Sequence, residues 1–339
     1  MLITRSRLPF ALVLGIALLA TLVVGSVAVG AFPLPLGDIA RVLWGALGGA
    51  AQSSDSARAV VLEIRGPRIA AALAVGMALG VAGAALQGVF RNPLVSPDIL
   101  GVSSGCALGA VVGILLGLPL AAMQGLAFAG GLAAAALVLA IGARVRGADP
   151  VLTLVLAGVV VGSLFSAGVA FAKTIADPYN QLPAITFWLL GSFAGVLPRD
   201  LALALPLMLA GIAPLIALRW RVDVLALSED EARALGLDVR RLRLVVIAAA
   251  TLATAAAVAI AGIIGWVGLV VPHAARLLVG PAFARVLPVA AILGAAFMLV
   301  VDTLCRVAAP TEIPPGVVTA LVGTPAFIAL LAASARRSP

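Results

Sequence analysis

The chain has 339 residues, of which 63% are hydrophobic and 11% are charged, and its mean hydropathy is +1.22. Soluble domains carry about 25% charged residues, so this composition excludes a soluble globular protein and predicts a polytopic protein of the lipid bilayer. The formal net charge of +8 comes from arginines that flank apolar segments. This placement indicates membrane topology and no nucleic-acid partner.

Apolar segments and short connections use nearly the whole chain, so we predict one transmembrane domain over residues 1–339. The predicted fold class is all-α, with about ten transmembrane helices plus short interfacial and coupling helices. The spans are predicted at about 8–32, 68–90, 98–117, 120–142, 150–172, 200–218, 242–262, 265–278, 283–307 and 317–335.

The distribution of arginines predicts the orientation of these spans. The first span follows the basic segment 1–7, and the last ends at Arg336 and Arg337. About two-thirds of the arginines fall on one predicted side, which the positive-inside rule assigns to the cytoplasm. Both termini are therefore predicted to be cytoplasmic, and residues 33–63 to lie outside.

Two connections break the regular pattern of spans. Pro93 and Pro97 interrupt the helical pattern after the second span, which predicts a cytoplasmic loop. The apolar piece from Ala184 to Val196 is too short to cross a bilayer, so it is predicted to be an interfacial or re-entrant helix on the outer side.

A charged island from Arg219 to Arg243 is too polar to cross the bilayer. Ser228 as N-cap and Glu231 three residues later form a capping box, and Gly236 followed by Leu237 fits a left-handed C-cap. Glu229, Asp230 and Glu231 lie at the positive end of the helix dipole, and Arg233 comes later. The pattern predicts a helix of about two turns, which needs flanking spans and a partner because so short a helix does not fold alone. We interpret it as a cytoplasmic coupling helix.

The sequence carries no nucleotide-binding or metal-binding pattern. No Gly-rich loop is followed by Lys-Ser or Lys-Thr, and Lys173, the only lysine, lies in a predicted outer loop. His273 is the only histidine and has no Cys, Asp or Glu at ligand spacing. We therefore predict no cofactor, no metal site and no enzymatic activity, with any ATP hydrolysis in a separate subunit.

Asp302 lies late in the ninth predicted span, where an acidic residue suggests function. Arg306 follows at i+4, so a structural ion pair competes with proton coupling at Asp302. Arg65, Arg68 and Arg306 all fall on the predicted outer side, against the positive-inside trend. Their side chains either snorkel to lipid headgroups or bind a partner.

Several motifs together resemble the FecCD-type permeases, the membrane subunits of type II ABC importers for ferric siderophores, haem and cobalamin. The resemblance covers essentially the whole chain, and its motifs occur in the family's order. They are Arg65-Gly66-Pro67-Arg68, Gly83 to Gln87 with Asn92-Pro93-Leu94, Gly101 to Gly105, Leu235-Gly236-Leu237, Gly268 to His273, and Pro315 to Thr319.

The resemblance implies ten spans per subunit and a homodimer in the bacterial inner membrane, with two cytoplasmic ATPase subunits and a periplasmic binding protein. It assigns ATPase coupling to the predicted short helix, the cytoplasmic gate to the proline loop, and binding-protein docking to the outer arginines. The residues concerned are Ser228, Glu229, Glu231, Arg233, Gly236 and Leu237 for coupling, Asn92, Pro93 and Leu94 for the gate, and Arg65, Arg68 and Arg306 for docking.

The predicted function is the permease subunit of an ATP-driven importer that moves a metal chelate, a ferric siderophore or haem, into the cytoplasm. Cobalamin or an oxyanion such as molybdate remains an alternative cargo for the same class of transporter. An ion-coupled secondary transporter using Asp302 is the alternative of another class.

Overall fold

The computed structural model describes residues 8–30, 32, 34–46, 48–49, 54–145, 149–225, 227 and 229–335. All regular elements in these ranges are helices, which confirms the all-α prediction. The helices are α1 (Leu8–Ala28), α2 (Leu36–Ala46), α3 (Asp55–Arg58), α4 (Gly66–Phe90), α5 (Val102–Leu115), α6 (Leu120–Arg144), α7 (Pro150–Ile175), α8 (Gln181–Leu190), α9 (Pro198–Ala217), α10 (Arg219–Val224), α11 (Glu229–Ala234), α12 (Val239–Ala261), α13 (Val267–Val279), α14 (Phe283–Val307) and α15 (Pro315–Ala335).

Seven helical segments of the described chain are long and apolar enough to cross a membrane, against the ten spans predicted. The third, eighth and tenth predicted spans correspond to α5, α13 and α15, and the apolar parts described for these, Val102–Leu115, Val267–Val279 and Pro315–Leu330, are shorter. Breaks in regular backbone geometry explain why α5 and α13 are short. Gly101 precedes α5 at φ +70°, and Trp266 precedes α13 at φ +71°, so neither helix extends toward its N-terminus.

The second predicted span begins much earlier than residue 68. A continuous helical segment runs over Asp55–Phe90, and its residues Ala59–Arg65 are π-helical. The NH of Gly66 donates to the carbonyl of Val61, five residues back, so the helix continues across the widened turn without a break. The predicted outer loop 33–63 also contains α2, whose apolar face packs on this segment.

The predicted interfacial segment 184–196 is helical only in its first part. α8 begins at Gln181, because Pro183 is tolerated in the first turn of a helix. It ends before Gly191, whose φ of +76° is left-handed. The irregular segment that follows α8 is hydrogen-bonded to the end of α12, since the Ser192 NH donates to the carbonyl of Ala261.

α4 and α12 form the centre of the bundle and are buried along most of their length, whereas α1 is largely exposed. α4 packs closely against the antiparallel α14, because Gly76 and Gly294 have no side chains to keep the two backbones apart. A Cβ on Gly76 would lie 2.1 Å from the carbonyl oxygen of Gly294. We call α4 and α14 together the central helix pair.

Candidate functional site

An ionic cluster lies where α4 begins and α14 ends. The Arg68 Nε donates to the Asp302 Oδ1 at 2.8 Å, and its Nη1 donates to the Glu312 Oε1 at 2.7 Å. The Arg306 Nε donates to the Asp302 Oδ2 at 3.2 Å. The predicted i,i+4 pair of Asp302 and Arg306 is thus confirmed. The pairing of both acids with Arg68 was not predicted.

Arg306 and the nearby Arg65 also bind the C-terminal end of α1 and the residues just after it. Arg65 donates to the carbonyls of Val27 and Phe32, both at 2.6 Å. Arg306 donates to the carbonyl of Val29 at 3.0 Å and to that of Ser26 at 3.1 Å. The last carbonyls of a helix lack intrahelical partners and carry the negative end of its dipole, so guanidinium groups stabilise them.

The three predicted docking residues are brought together by this arrangement, but they are buried. The exposed fraction is 5% for Arg65 and 6% for Arg68, and the Arg306 side chain is 7% exposed. The structure therefore contradicts the snorkelling alternative, because the guanidinium groups bind carbonyls and carboxylates inside the protein. The docking role stays a prediction.

The opposite end of α4 leads into the proline loop. Arg91 follows α4 with φ +50°, a left-handed conformation that is uncommon for a residue with a side chain. Asn92, Pro93 and Leu94, the predicted gate residues, come next and are exposed. The Asn92 side-chain oxygen accepts from the Leu94 NH at 2.9 Å, which makes a short Asx-type turn.

The guanidinium of Arg91 joins this loop to the charged island. Its Nε donates to the carbonyl of Leu225 at 2.6 Å, and its Nη2 donates to the carbonyl of Leu227. The island is also bonded to α14, since the Asp223 carboxylate accepts from the NH groups of Phe283 and Ala284. The structure thus bonds Arg91, the residue before the predicted gate, to the part of the island that precedes the predicted coupling helix.

The predicted coupling helix is present as α11, and its C-terminal end is as predicted. Gly236 has φ +79°, its NH donates to the carbonyl of Arg233, and the Leu237 NH donates to that of Ala232. These two bonds form a Schellman motif. Ser228 lies outside the described residues, as does the side chain of Glu229, so the predicted capping box stays a prediction. Ala232 of α11 is buried, while Leu235 is 63% exposed.

Gln87 connects three parts of the same end. Its Nε2 donates to the carbonyl of Val95 at 2.9 Å and to that of Gly268 at 3.3 Å. Its Oε1 accepts from Arg276. A buried amide with its groups bonded in this way stabilises one arrangement of the loop against α13. Gln87 belongs to a sequence motif from which no role for it was predicted, because two of these three bonds join residues more than 180 positions apart in the chain.

Within the described part of the chain, no group of three His, Cys, Asp or Glu residues could hold a metal ion. His273 lies buried in α13, where its ring makes a T-shaped contact with that of Phe327, with 6.0 Å between the centroids.

Comparison with known proteins gives a consistent result. The FecCD transport family matches residues 18–333. A cobalamin import system permease protein from Halobacterium salinarum is 42% identical over 82% of this chain and 74% of its own length. A molybdate import system permease protein from Haemophilus influenzae is 38% identical over 91% of both chains. A hemin transport system permease protein from Yersinia pestis is 36% identical over 93% of this chain and 92% of its own length.

A solved structure has the same fold over nearly the whole chain. It is described as an inward-facing conformation of a putative metal-chelate type ABC transporter. It is 37% identical, with a TM-score of 0.86, and the match covers 95% of this chain and 99% of that one.

Proposed function

Because this chain belongs to the FecCD transport family and is a permease subunit of an ABC importer, we propose that its cargo is a metal chelate, a ferric siderophore or haem. The observation that carries the proposal is the 37% identity and TM-score of 0.86 to the structure described as a putative metal-chelate type ABC transporter. Cobalamin and molybdate, named for two relatives, remain alternative cargoes. Family membership favours this class of transporter over the ion-coupled one.

The cargo can be tested on the cognate periplasmic binding protein. Its affinity is measured for a ferric siderophore, haem, cobalamin and molybdate, and each compound is then tested for uptake by the reconstituted transporter. We expect tight binding and uptake of one of the two iron compounds. Tight binding of cobalamin or molybdate alone would show that the proposed cargo is wrong.

We further propose that two copies of this chain assemble in the bacterial inner membrane with two ATPase subunits. Two observations support this assembly. The sequence contains no P-loop, and large apolar side chains lie exposed along α7, where lipid or a second copy would cover them. The arginine distribution supports cytoplasmic termini, which puts Arg91 and the charged island on the cytoplasmic side.

The proposed ATPase contact is α11 with the turn that follows it. Gly236 offers a clean test, because a Cβ at this position would meet no atom within 4 Å. A substitution there strains only the left-handed backbone. Gly236→Val should therefore add about 1–3 kcal/mol of backbone strain to the turn. Uptake should fall, while the protein still inserts into the membrane. Gly236→Asn is the matched control, since Asn tolerates this conformation. Normal uptake by a well-expressed Gly236→Val variant would show that α11 does not couple ATP hydrolysis to transport.

The remaining predicted sites keep their assignments as proposals. The loop of Asn92, Pro93 and Leu94 is proposed to form the cytoplasmic gate, which is consistent with its exposure beside the charged island. The cluster of Arg65, Arg68 and Arg306 is proposed to receive acidic residues of a periplasmic binding protein. Arg68 binds the carboxylates of Asp302 and Glu312, Arg306 binds that of Asp302, and Arg65 binds backbone carbonyls beside them.

Burial of these arginines changes how docking would occur. The Glu312 side chain is 47% exposed, whereas that of its partner Arg68 is 8% exposed. An incoming carboxylate would therefore replace Glu312 rather than approach a free guanidinium. Such an exchange conserves the charge around Arg68 and avoids leaving a buried cation unpaired.

A further inference from the structure

The charged island is held to the central helix pair by side chains of the permease itself. Arg91, at the end of α4, donates to the carbonyls of Leu225 and Leu227. Asp223 accepts from the first NH groups of α14, those of Phe283 and Ala284. Each bond joins residues at least 60 positions apart in the sequence.

These bonds suit the transmission of a displacement. A guanidinium presents several donors in a rigid planar fork, so two carbonyls of one segment are held at a defined position and angle. The Asp223 carboxylate spans two successive NH groups at a helix N-terminus, where negative charge is favoured. The island therefore cannot shift far without moving the end of α4, the start of α14, or both.

The central helix pair itself resists sliding along its length. Gly76 contacts Gly294, and Gly80 approaches Ala290 so closely that an added Cβ would lie 2.7 Å from its carbonyl oxygen. At the far end, the bond between Arg68 and Asp302 locks the two helices together. Close packing without side chains between backbones favours movement of the two helices as one body.

We propose that Arg91 and Asp223 are positioning residues that convert displacement of α11 into movement of the central helix pair and of the loop that follows Arg91. The inference rests on the proposed contact between α11 and an ATPase. It adds that the ATPase acts on the gate through bonds inside this chain. The same helix pair carries Arg68 and Asp302 at its other end, so one body connects the two proposed docking faces.

The test separates transport from ATP hydrolysis. Arg91→Met keeps the length of the side chain and removes its donors, and Arg91→Lys keeps the charge but not the fork. Arg144→Met is the matched control, because Arg144 is exposed and, among the described residues, donates to a carbonyl of its own helix, that of Ala140. Each variant is assembled with the ATPase subunits in proteoliposomes, and uptake is measured per ATP hydrolysed.

We expect Arg91→Met to assemble and to hydrolyse ATP within about twofold of wild type, while uptake per ATP falls by at least about tenfold, the equivalent of losing one or two charge-assisted hydrogen bonds. Uptake per ATP hydrolysed by Arg91→Lys should lie between the values for wild type and Arg91→Met, because an ammonium can still reach one carbonyl. Asp223→Asn should lower the ratio less, since its amide oxygen still accepts one bond. Arg144→Met should match wild type.

An unchanged ratio of uptake to hydrolysis in Arg91→Met would overturn the inference. Loss of ATPase binding by Arg91→Met would also overturn it, because Arg91 would then serve assembly. If Arg91→Met does not reach the membrane, the ratio of uptake to hydrolysis is measured for Arg91→Lys instead, and an unchanged ratio in that variant would overturn the inference. Gly236→Val tests the parent proposal separately. If that variant uncouples transport and both Arg91 variants do not, the ATPase contact stands and the role of Arg91 is wrong.

Discussion

Replacing Asp302 with Asn tests whether the buried ionic cluster is structural. The change keeps the size of the side chain and removes the charge that both Arg68 and Arg306 bind, at 2.8 and 3.2 Å. Asp302 is fully buried, so no water replaces the lost interaction. Removing one partner of a buried ion pair costs about 3–5 kcal/mol, because it leaves charge without compensation.

The effect should fall at the lower end of that range. Arg68 keeps its bond to Glu312, and Arg306 keeps the carbonyls of Ser26 and Val29. A loss of about 3 kcal/mol corresponds to a fall in Tm of roughly 4 °C for a chain of this length. The measurement is thermal unfolding of the purified protein in detergent, followed by tryptophan fluorescence.

The matched control is Asp38→Asn, which breaks the surface pair of Asp38 with Arg41. Exposed pairs contribute about 0–1 kcal/mol, so this Tm should stay close to that of wild type. Unfolding of Asp302→Asn at the temperature of the control would show that the ionic cluster does not stabilise the fold.

Transport assays with the same variant address the alternative function. Uptake by Asp302→Asn should still require ATP and should be insensitive to an uncoupler, because Asp302 is held by two guanidinium groups. Uptake that persists without ATP hydrolysis and stops with an uncoupler would instead support proton coupling.

The remaining predictions concern helix packing and docking. Gly83→Ala should lower stability by about 1–3 kcal/mol in the same unfolding assay, because its Cβ would lie 2.0 Å from the carbonyl oxygen of Gly268. The control is Gly125→Ala, whose Cβ would meet no atom within 4 Å and which should not destabilise the protein. Equal melting temperatures of the two variants would contradict close packing of α4 on α13. Arg65→Glu and Arg306→Glu should slow association with the binding protein, most at low salt, and an acid-to-arginine change on that protein should partly restore it. Association rates across a salt series measure this, and unfolding temperatures of the same variants control for their burial. No rescue by the changed partner would exclude docking.

Local patterns in the sequence were sufficient for several features. Apolar runs about 20 residues long predicted the long helices, because a backbone in lipid must satisfy its own hydrogen bonds. Gly236 followed by Leu237 predicted the C-terminal end of α11, and the i,i+4 spacing predicted the pair of Asp302 and Arg306. Each depends on residues within a turn or two of one another, so spacing alone specifies it.

Helix boundaries were less predictable where the backbone departs from regular geometry. The π-helical turn over Ala59–Arg65 extends the second span toward the N-terminus, and left-handed residues shorten α5 and α13. Composition changes little across these points. Only backbone hydrogen bonds distinguish a continued helix from a loop there.

The tertiary structure alone decided which charged groups meet. Arg68 pairs with Asp302, 234 positions away, and Arg91 reaches carbonyls more than 130 positions away. The sequence placed both arginines at the ends of a predicted span, where lipid headgroups, a partner or another helix could equally satisfy them. Packing of α14 against α4 selects one answer, because it brings a fully buried carboxylate to Arg68 and removes water from around both charges.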